Sequence, residues 1–166
     1  MLTCDAVYED HGQFGNDYAA YAYDTKAVPV SETNAAAGFR DGSLVEFKSM
    51  GPLAGPWART IALWFKTTSA SPQVLVGIGS RWRETGQHFD VALAHGAPAV
   101  LLKETSRMES SRTDLADGRW HHLAVRVPAQ GLRAAEIEIY VDGKRDEDAR
   151  LRGQNLAIDT EQANWI

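Results

Sequence analysis

The sequence is short of cysteine, of positive charge and of long apolar runs. Cys4 is the only cysteine in 166 residues, which excludes an intrachain disulfide and a cysteine-based metal cluster. Lys and Arg number 17 against 22 Asp and Glu, and the net charge of −5 argues against nucleic-acid partners, which require clustered positive charge. No apolar stretch approaches the roughly 20 residues of a membrane-spanning helix, and no signal peptide is visible. The composition is that of an ordinary globular domain.

Motifs for catalysis are also missing from the sequence. It contains no serine nucleophile motif, no glycine-rich phosphate loop and no helix with zinc-binding histidines. The pair His121–His122 falls in a predicted strand, where neighbouring side chains point to opposite faces, so the two rings cannot bind the same ion. We therefore interpret both histidines as structural residues.

Short runs rich in β-branched and aromatic residues recur from residue 43 onward, and turn residues separate them. Several runs alternate with period two, so that Ile137, Ile139 and Val141 fall on one face of their strand. The predicted strands are Tyr18–Tyr23, Ser43–Lys48, Thr60–Thr67, Gln73–Gly79, Phe89–Ala94, Val100–Glu104, Trp120–Val127 and Glu136–Val141. This spacing predicts an all-β sandwich or barrel.

Pairs that contain glycine mark the turns between these strands. Asp117–Gly118 and Asp142–Gly143 suit tight turns that need a positive φ. His95–Gly96 predicts a hairpin with Pro98 in its loop. The run Val28–Ala37 contains a proline and several small residues, and it predicts a loop rather than a strand.

Four phrases stand in order along the chain: TIALWFKT, VLVGIGS, DGRWHHLAV and IEIYVDGK. They occupy Thr60–Thr67, Val74–Ser80, Asp117–Val125 and Ile137–Lys144. They resemble the "SLWFKT", "LLSYGS", "DGxWHHVAV" and "LxLYVDGK" phrases of laminin-G-like domains, a family of concanavalin A-like jelly rolls related to the pentraxins. The resemblance covers roughly residues 40–145, and we expect it to extend to the end of the chain.

The resemblance implies a two-sheet antiparallel β-sandwich over residues 1–166 as a single domain, with 1–40 as an irregular arm or edge strand. Trp64 and Trp120, which lie in strands, are expected to pack in its core. Family members continue past the "YVDGK" hairpin, so we expect a C-terminal truncation, or missing strands supplied by residues 1–40. An open sheet edge would invite homo-oligomers. An extracellular or cell-surface location is also implied.

Glycoside hydrolases of a related jelly-roll fold carry an E-x-D-x-x-E pattern on one strand. Glu136 and Glu138 share a face of their predicted strand, as the two carboxyls of a retaining hydrolase require. Tyr140 and Val141 follow them, so the aspartate and the second glutamate of that pattern are missing. We therefore expect no enzymatic activity, with a glycoside hydrolase as the less favoured alternative.

A polar loop between two predicted strands offers the best ligand site. It carries Trp82 between Arg81 and Arg83, followed by Glu84 and His88. Sugars bind to an exposed aromatic ring with hydrogen-bonding groups nearby, although this indole can instead fold back over the sandwich edge. We predict a recognition module that binds a glycan or a protein surface through rim loops. The alternative is a structural or assembly domain that makes protein–protein contacts through sheet edges.

Calcium is the one cofactor that the resemblance suggests. Many laminin-G-like domains hold Ca²⁺ at the sandwich rim with acidic or amide side chains and backbone carbonyls. The candidate ligands are Asp90, Asn155 and Asp159. Their alternative role is that of ordinary solvated residues near turns.

Overall fold

The computed structural model describes residues 4–10, 18–23, 25–32, 35–40, 42–47, 56–79, 88–102, 106–129 and 133–158. The strands in these ranges are β1 (Cys4–Asp10), β2 (Tyr18–Tyr23), β3 (Lys26–Pro29), β4 (Ala35–Gly38), β5 (Leu44–Phe47), β6 (Arg59–Phe65), β7 (Gln73–Ile78), β8 (Phe89–Ala94), β9 (Ala97–Leu102), β10 (Ser106–Glu109), β11 (His121–Val127), β12 (Glu138–Val141), β13 (Lys144–Arg145) and β14 (Arg150–Gly153). A 3₁₀ helix occupies Ala134–Glu136. None of the helical structure in these ranges has the length and apolar character to cross a membrane.

The described residues up to Phe47 belong to one compact unit, and those from Pro56 onward belong to a second. In the first unit, β2 pairs antiparallel with β1 on one side and with β5 on the other. The strand predicted at Tyr18–Tyr23 is confirmed.

A further hairpin, β3–β4, completes the first unit and corrects the loop predicted over Val28–Ala37. Val28 pairs with Ala36, and Pro29 pairs with Ala35 at the end of the strand, where a proline is tolerated. Alanine and glycine have little β-propensity, so backbone pairing rather than side-chain pattern makes β4 a strand. Of the two alternatives for residues 1–40, an irregular arm or an edge strand, β1 to β4 show strand structure in this range. The assignment of 1–40 as an arm or edge strand of a single domain over 1–166 stays a prediction.

Two antiparallel sheets make up the second unit, with strand orders β14-β10-β9-β8-β7 and β13-β12-β11-β6. Alternate side chains of both sheets enter one apolar core, in which Phe89, Leu123 and Ile139 are fully buried. Ile137, Ile139 and Val141 all face this core, as their alternation predicts. The predicted two-sheet β-sandwich is therefore confirmed.

Tight two-residue turns close two hairpins of the second unit. The φ angles are 54° and 80° at His95–Gly96 and 51° and 78° at Asp142–Gly143, the left-handed values of a type I′ turn. Pro98 lies in β9 rather than in the predicted loop. It pairs with Leu93 next to the turn, at a position that does not exchange backbone hydrogen bonds with β8, so the ladder with β8 does not need its missing N–H. Its carbonyl accepts the N–H of Ser110 at 2.9 Å.

Two tryptophans that we expected in the core lie on the outer surface instead. Trp64 is 66% exposed and Trp120 is 39% exposed. Phe65 and His121, the next residues in the chain, are the buried ones. Because successive side chains of a strand point to opposite faces, a core position for Phe65 requires Trp64 to face outward.

Candidate functional site

The outer surface of the four-stranded sheet has an aromatic end, a middle of small residues and a charged end, and we call it the Trp64 face. It consists of the outward-facing side chains Thr60, Ala62, Trp64, His122, Ala124, Arg126, Glu138, Tyr140 and Arg145. Strand pairing arranges them in the rows Trp64–His122, Ala62–Ala124–Tyr140–Arg145 and Thr60–Arg126–Glu138. Neighbouring rows are two residues apart along each strand and are thus separated by about 7 Å.

The aromatic end presents the Trp64 indole beside the imidazole of His122 on the neighbouring strand. The ring centroids of Trp64 and His122 are 5.0 Å apart, with an interplanar angle of 55°. The backbone N–H of His122 donates to Asp142 Oδ1 at 2.9 Å, which anchors this strand position to the neighbouring turn. A largely exposed indole is a surface on which the C–H face of a sugar ring can stack.

On β6 and β11 the middle row carries only short side chains, and we call this low part of the face the recess. Ala62 and Ala124 face each other across β6 and β11 and carry no atoms beyond Cβ. Larger side chains stand in the rows on both sides, with Trp64 in one and Arg126 in the other. Tyr140 flanks the recess on β12. The two alanines therefore have the ring of Trp64 in the row on one side and the guanidinium of Arg126 in the row on the other.

The charged end is organised by one carboxylate. Glu138 Oε2 accepts hydrogen bonds from Arg126 Nη1 at 2.7 Å and from the Tyr140 hydroxyl at 3.1 Å. Its Oε1 lies 3.5 Å from Arg145 Nη1. The hydrogen bond from Arg126, aided by that from Tyr140 and opposed by partial burial, lowers the pKa of Glu138. The Glu138 carboxylate is ionised and bonded to these neighbours, whereas the side chains of Arg126 and Arg145 are about half exposed.

A second polar cluster, which we call the His121 clamp, supports the aromatic end from the core side. His121 Nδ1 lies 3.0 Å from Asp142 Oδ2, and its Nε2 lies 3.0 Å from Asp117 Oδ1. The contact with Asp142 raises the pKa of His121, with help from Asp117 and against the effect of burial. Protonated imidazole donates from both nitrogens, so it satisfies both carboxylates. The clamp therefore links the turns at Asp117–Gly118 and Asp142–Gly143.

Sequence reasoning missed both features as sites, although it placed His121 and His122 on opposite faces of one strand. The structure confirms that placement: His121 is buried and His122 is half-buried on the outer surface. The sequence signal for the clamp was a pair of Asp–Gly turns in the family phrases. Asp117–Gly118 lies just before the histidines, and Asp142–Gly143 lies at the end of a later strand.

Four residues of the predicted ligand loop, Arg81, Trp82, Arg83 and Glu84, lie outside the described residues. Its last member, His88, has Nε2 3.8 Å from Asp90 Oδ2, and both side chains are nearly buried. The structure thus brings together two residues that we had assigned to different sites, one for a ligand and one for a metal.

The predicted calcium ligands are only partly described. Asn155 Oδ1 accepts the backbone N–H of Ala135 at 2.9 Å, which joins the C-terminal segment to the 3₁₀ helix. Asp159 lies outside the described residues. The predicted calcium site therefore stays a prediction. Within the described ranges, no group of three or more His, Cys, Asp or Glu is arranged to hold a metal ion.

Comparison with known families gives one result for this fold. A laminin G family model, described as the concanavalin A-like lectin/glucanases superfamily, matches residues 21–166. The match includes every strand of the second unit. No curated protein matches the chain.

Proposed function

The chain belongs to the concanavalin A-like lectin/glucanases superfamily, and from that premise we propose that it is a non-catalytic module that binds carbohydrate. The observation that carries the proposal is the 66% exposed indole of Trp64 on β6, next to the buried Phe65. The family supports a carbohydrate-binding or protein-binding role in general, and the Trp64 face favours the first of these.

The chemistry of the Trp64 face suits a sugar better than an apolar partner. A pyranose offers a C–H face to an aromatic ring and hydroxyl groups to polar side chains. Trp64 supplies the ring, and Arg126 and Thr60 supply polar atoms within two rows of it. The alanine floor leaves room for a ligand between these groups. The Trp64 face has one tryptophan bordered mostly by polar side chains, which is a small apolar patch for a stable protein interface.

The positions of the two glutamates support a role without catalysis. Glu136 lies in the 3₁₀ helix and Glu138 lies in β12, so the shared strand face predicted for them is wrong. The lowered pKa of Glu138 makes it a poor proton donor at neutral pH. The arrangement of this pair therefore differs from the facing acid and nucleophile of a retaining hydrolase.

We predict that Trp64→Ala weakens glycan binding by about tenfold or more, because it removes the ring on which the sugar stacks. Trp57→Ala is the matched control, since Trp57 is also 62% exposed but does not belong to the Trp64 face. A glycan array on the wild type identifies the ligand, and titration calorimetry compares the variants. Equal losses for the two variants would count against a site at Trp64.

The ligand loop predicted from the sequence is tested in the same series. Trp82→Ala addresses a rim site formed by Trp82 with Arg81, Arg83, Glu84 and His88. If recognition occurs at that rim, binding falls in Trp82→Ala and is unchanged in Trp64→Ala. The opposite pattern places recognition on the Trp64 face.

Assembly through a sheet edge is the second candidate function. Within the described strands, β7 is the last strand of the five-stranded sheet, and Val74 on it is about half exposed. The register irregularity between Val74 and Val76 disfavours this role, because bulges blunt edge pairing. Edge pairing predicts a dimer by light scattering at high protein concentration that Val74→Lys converts to a monomer. A wild-type monomer at all concentrations would exclude it.

A further inference from the structure

A second tryptophan lies beside the aromatic end of the Trp64 face. Trp120 directly precedes β11 and is 39% exposed. The next residue, His121, is buried beside Phe65, and the one after it, His122, lies on the outer surface. Because side chains alternate along an extended chain, the indole of Trp120 projects to the same side of the sheet as His122 and Trp64.

The backbone on both sides of Trp120 runs alongside the end of β6. Before it, the Gly118 N–H donates to the carbonyl of Thr67 at 2.9 Å. After it, His121 pairs with Phe65. The two exposed indoles therefore stand on neighbouring chain segments one row apart, a diagonal separation of about 7–8 Å that large side chains can span.

We propose that Trp64 and Trp120 together bind two units of one β-1,4-linked glucan chain, with a pyranose ring stacked on each indole. The inference rests on the proposed carbohydrate-binding function and adds the class of chain and a second stacking residue. A single sugar can stack on only one of the two indoles, whereas a chain can contact both.

The arrangement of the two indoles favours a flat chain over a curved one. Both project from one side of the sheet, so a ligand that contacts both must present successive ring faces to that side. A β-1,4-linked glucan is an extended ribbon with axial C–H groups on both faces of every ring, so each of its rings can stack. An α-1,4-linked glucan curves and turns its successive rings away from a common surface. His122, which stands next to both indoles, offers ring nitrogens to the hydroxyl groups along the ribbon.

The experiment titrates isotope-labelled protein with glucose, cellobiose, cellotriose and maltotriose and follows the indole N–H signals by NMR. The spectra of Trp64→Ala and Trp120→Ala assign the two signals. We expect cellotriose to shift both signals and to bind about fivefold or more tightly than glucose, because a second ring is stacked. Maltotriose has the same sugar units on a curved chain and is expected to bind no more tightly than glucose.

The variants separate a stacking role of Trp120 from a structural one. Trp120→Ala is expected to bind cellotriose as weakly as glucose while its affinity for glucose is unchanged, and Trp120→Phe, which keeps a ring, is expected to retain most of the gain. Trp57→Ala is the matched control, since Trp57 is 62% exposed but precedes β6 at the end opposite Trp64. It is expected to leave the whole series unchanged. Thermal unfolding of each variant shows that the sandwich persists.

Two outcomes overturn the inference, and they are distinguishable. In the first, the array identifies a glycan whose binding Trp64→Ala weakens, but cellotriose binds no more tightly than glucose or maltotriose, or Trp120→Ala keeps the gain. The carbohydrate-binding function then stands, and the subsite of two tryptophans is wrong. In the second, the wild type binds no glycan on the array and no sugar of the series, and both proposals fail.

Discussion

Replacing Ile139 by alanine is expected to lower the free energy of unfolding by about 2–5 kcal/mol, the largest effect that we predict for a single substitution. Ile139 is fully buried at the centre of β12, where it pairs with Val125 of β11. Its truncation removes apolar burial and leaves a cavity between two sheets that pack around it. Urea denaturation followed by tryptophan fluorescence measures the change. Ile139→Val, which removes one methylene, is expected to cost about 0.5–1.5 kcal/mol.

Tyr140→Phe is the control for this prediction because Tyr140 is adjacent in the chain but faces outward. The substitution deletes only the hydroxyl that donates to Glu138, so its cost is expected to be about 1 kcal/mol or less. If Ile139→Ala were no more destabilising than Tyr140→Phe, Ile139 would not lie in a close-packed core. The two-sheet arrangement of the second unit would then be wrong.

Replacing His121 by alanine is expected to lower the free energy of unfolding by about 1–3 kcal/mol near pH 6. The buried imidazole contacts Asp117 and Asp142, and its ring lies 5.9 Å from that of Phe65. Its removal deletes both polar contacts and leaves a space under the two turns. His122→Ala is the matched control, since His122 is on the other face and its anchoring bond to Asp142 comes from the backbone.

The His121 clamp also predicts how stability depends on pH. Contact with Asp142, and then with Asp117, raises the pKa of His121 above its ordinary value of 6.5. The folded state thus binds the proton more tightly than the unfolded state, so this stabilisation is fully present below pH 6.5 and is lost as pH rises through the folded pKa.

The carboxylates of the clamp act in the opposite direction. The hydrogen bond to His121 lowers the pKa of Asp142, and the bond from the Arg119 N–H, followed by that to His121, lowers the pKa of Asp117. Their contribution is present above the ordinary value of 3.8 and is lost as pH falls through the folded values. Stabilisation by the clamp is therefore greatest between about pH 4 and 6.5. Urea midpoints of wild type and His121→Ala that differ equally at pH 5.5 and pH 9 would contradict this account.

The strands and turns of the second unit were predictable because their causes are local. Alternation at Ile137, Ile139 and Val141 indicates which side chains are buried whatever the partner strand is. Asp142–Gly143 indicates a turn because few other residue pairs adopt two positive φ angles easily. The hairpin β3–β4 was missed because its small side chains show no alternation of apolar and polar residues. Pro98 was wrongly predicted to lie in a loop, because a strand accepts proline only where the partner strand does not need its N–H, and the sequence does not show which positions these are.

The fold class, the positions of most strands and the lack of a recognisable catalytic motif are predictable from the amino-acid sequence, since these follow from residue type and local spacing. What the surface presents depends on how the strands pair. The side chains of β6 form two alternating sets, one on each face of the sheet. Trp64 faces outward because the set that contains Phe65 enters the core. The recess depends on the register that brings Ala62 opposite Ala124, and the clamp requires the pairing of β11 with β12. The register of two strands, and which face of a strand packs against the core, are set by pairing and packing with other strands. The sequence of one strand alone does not specify them.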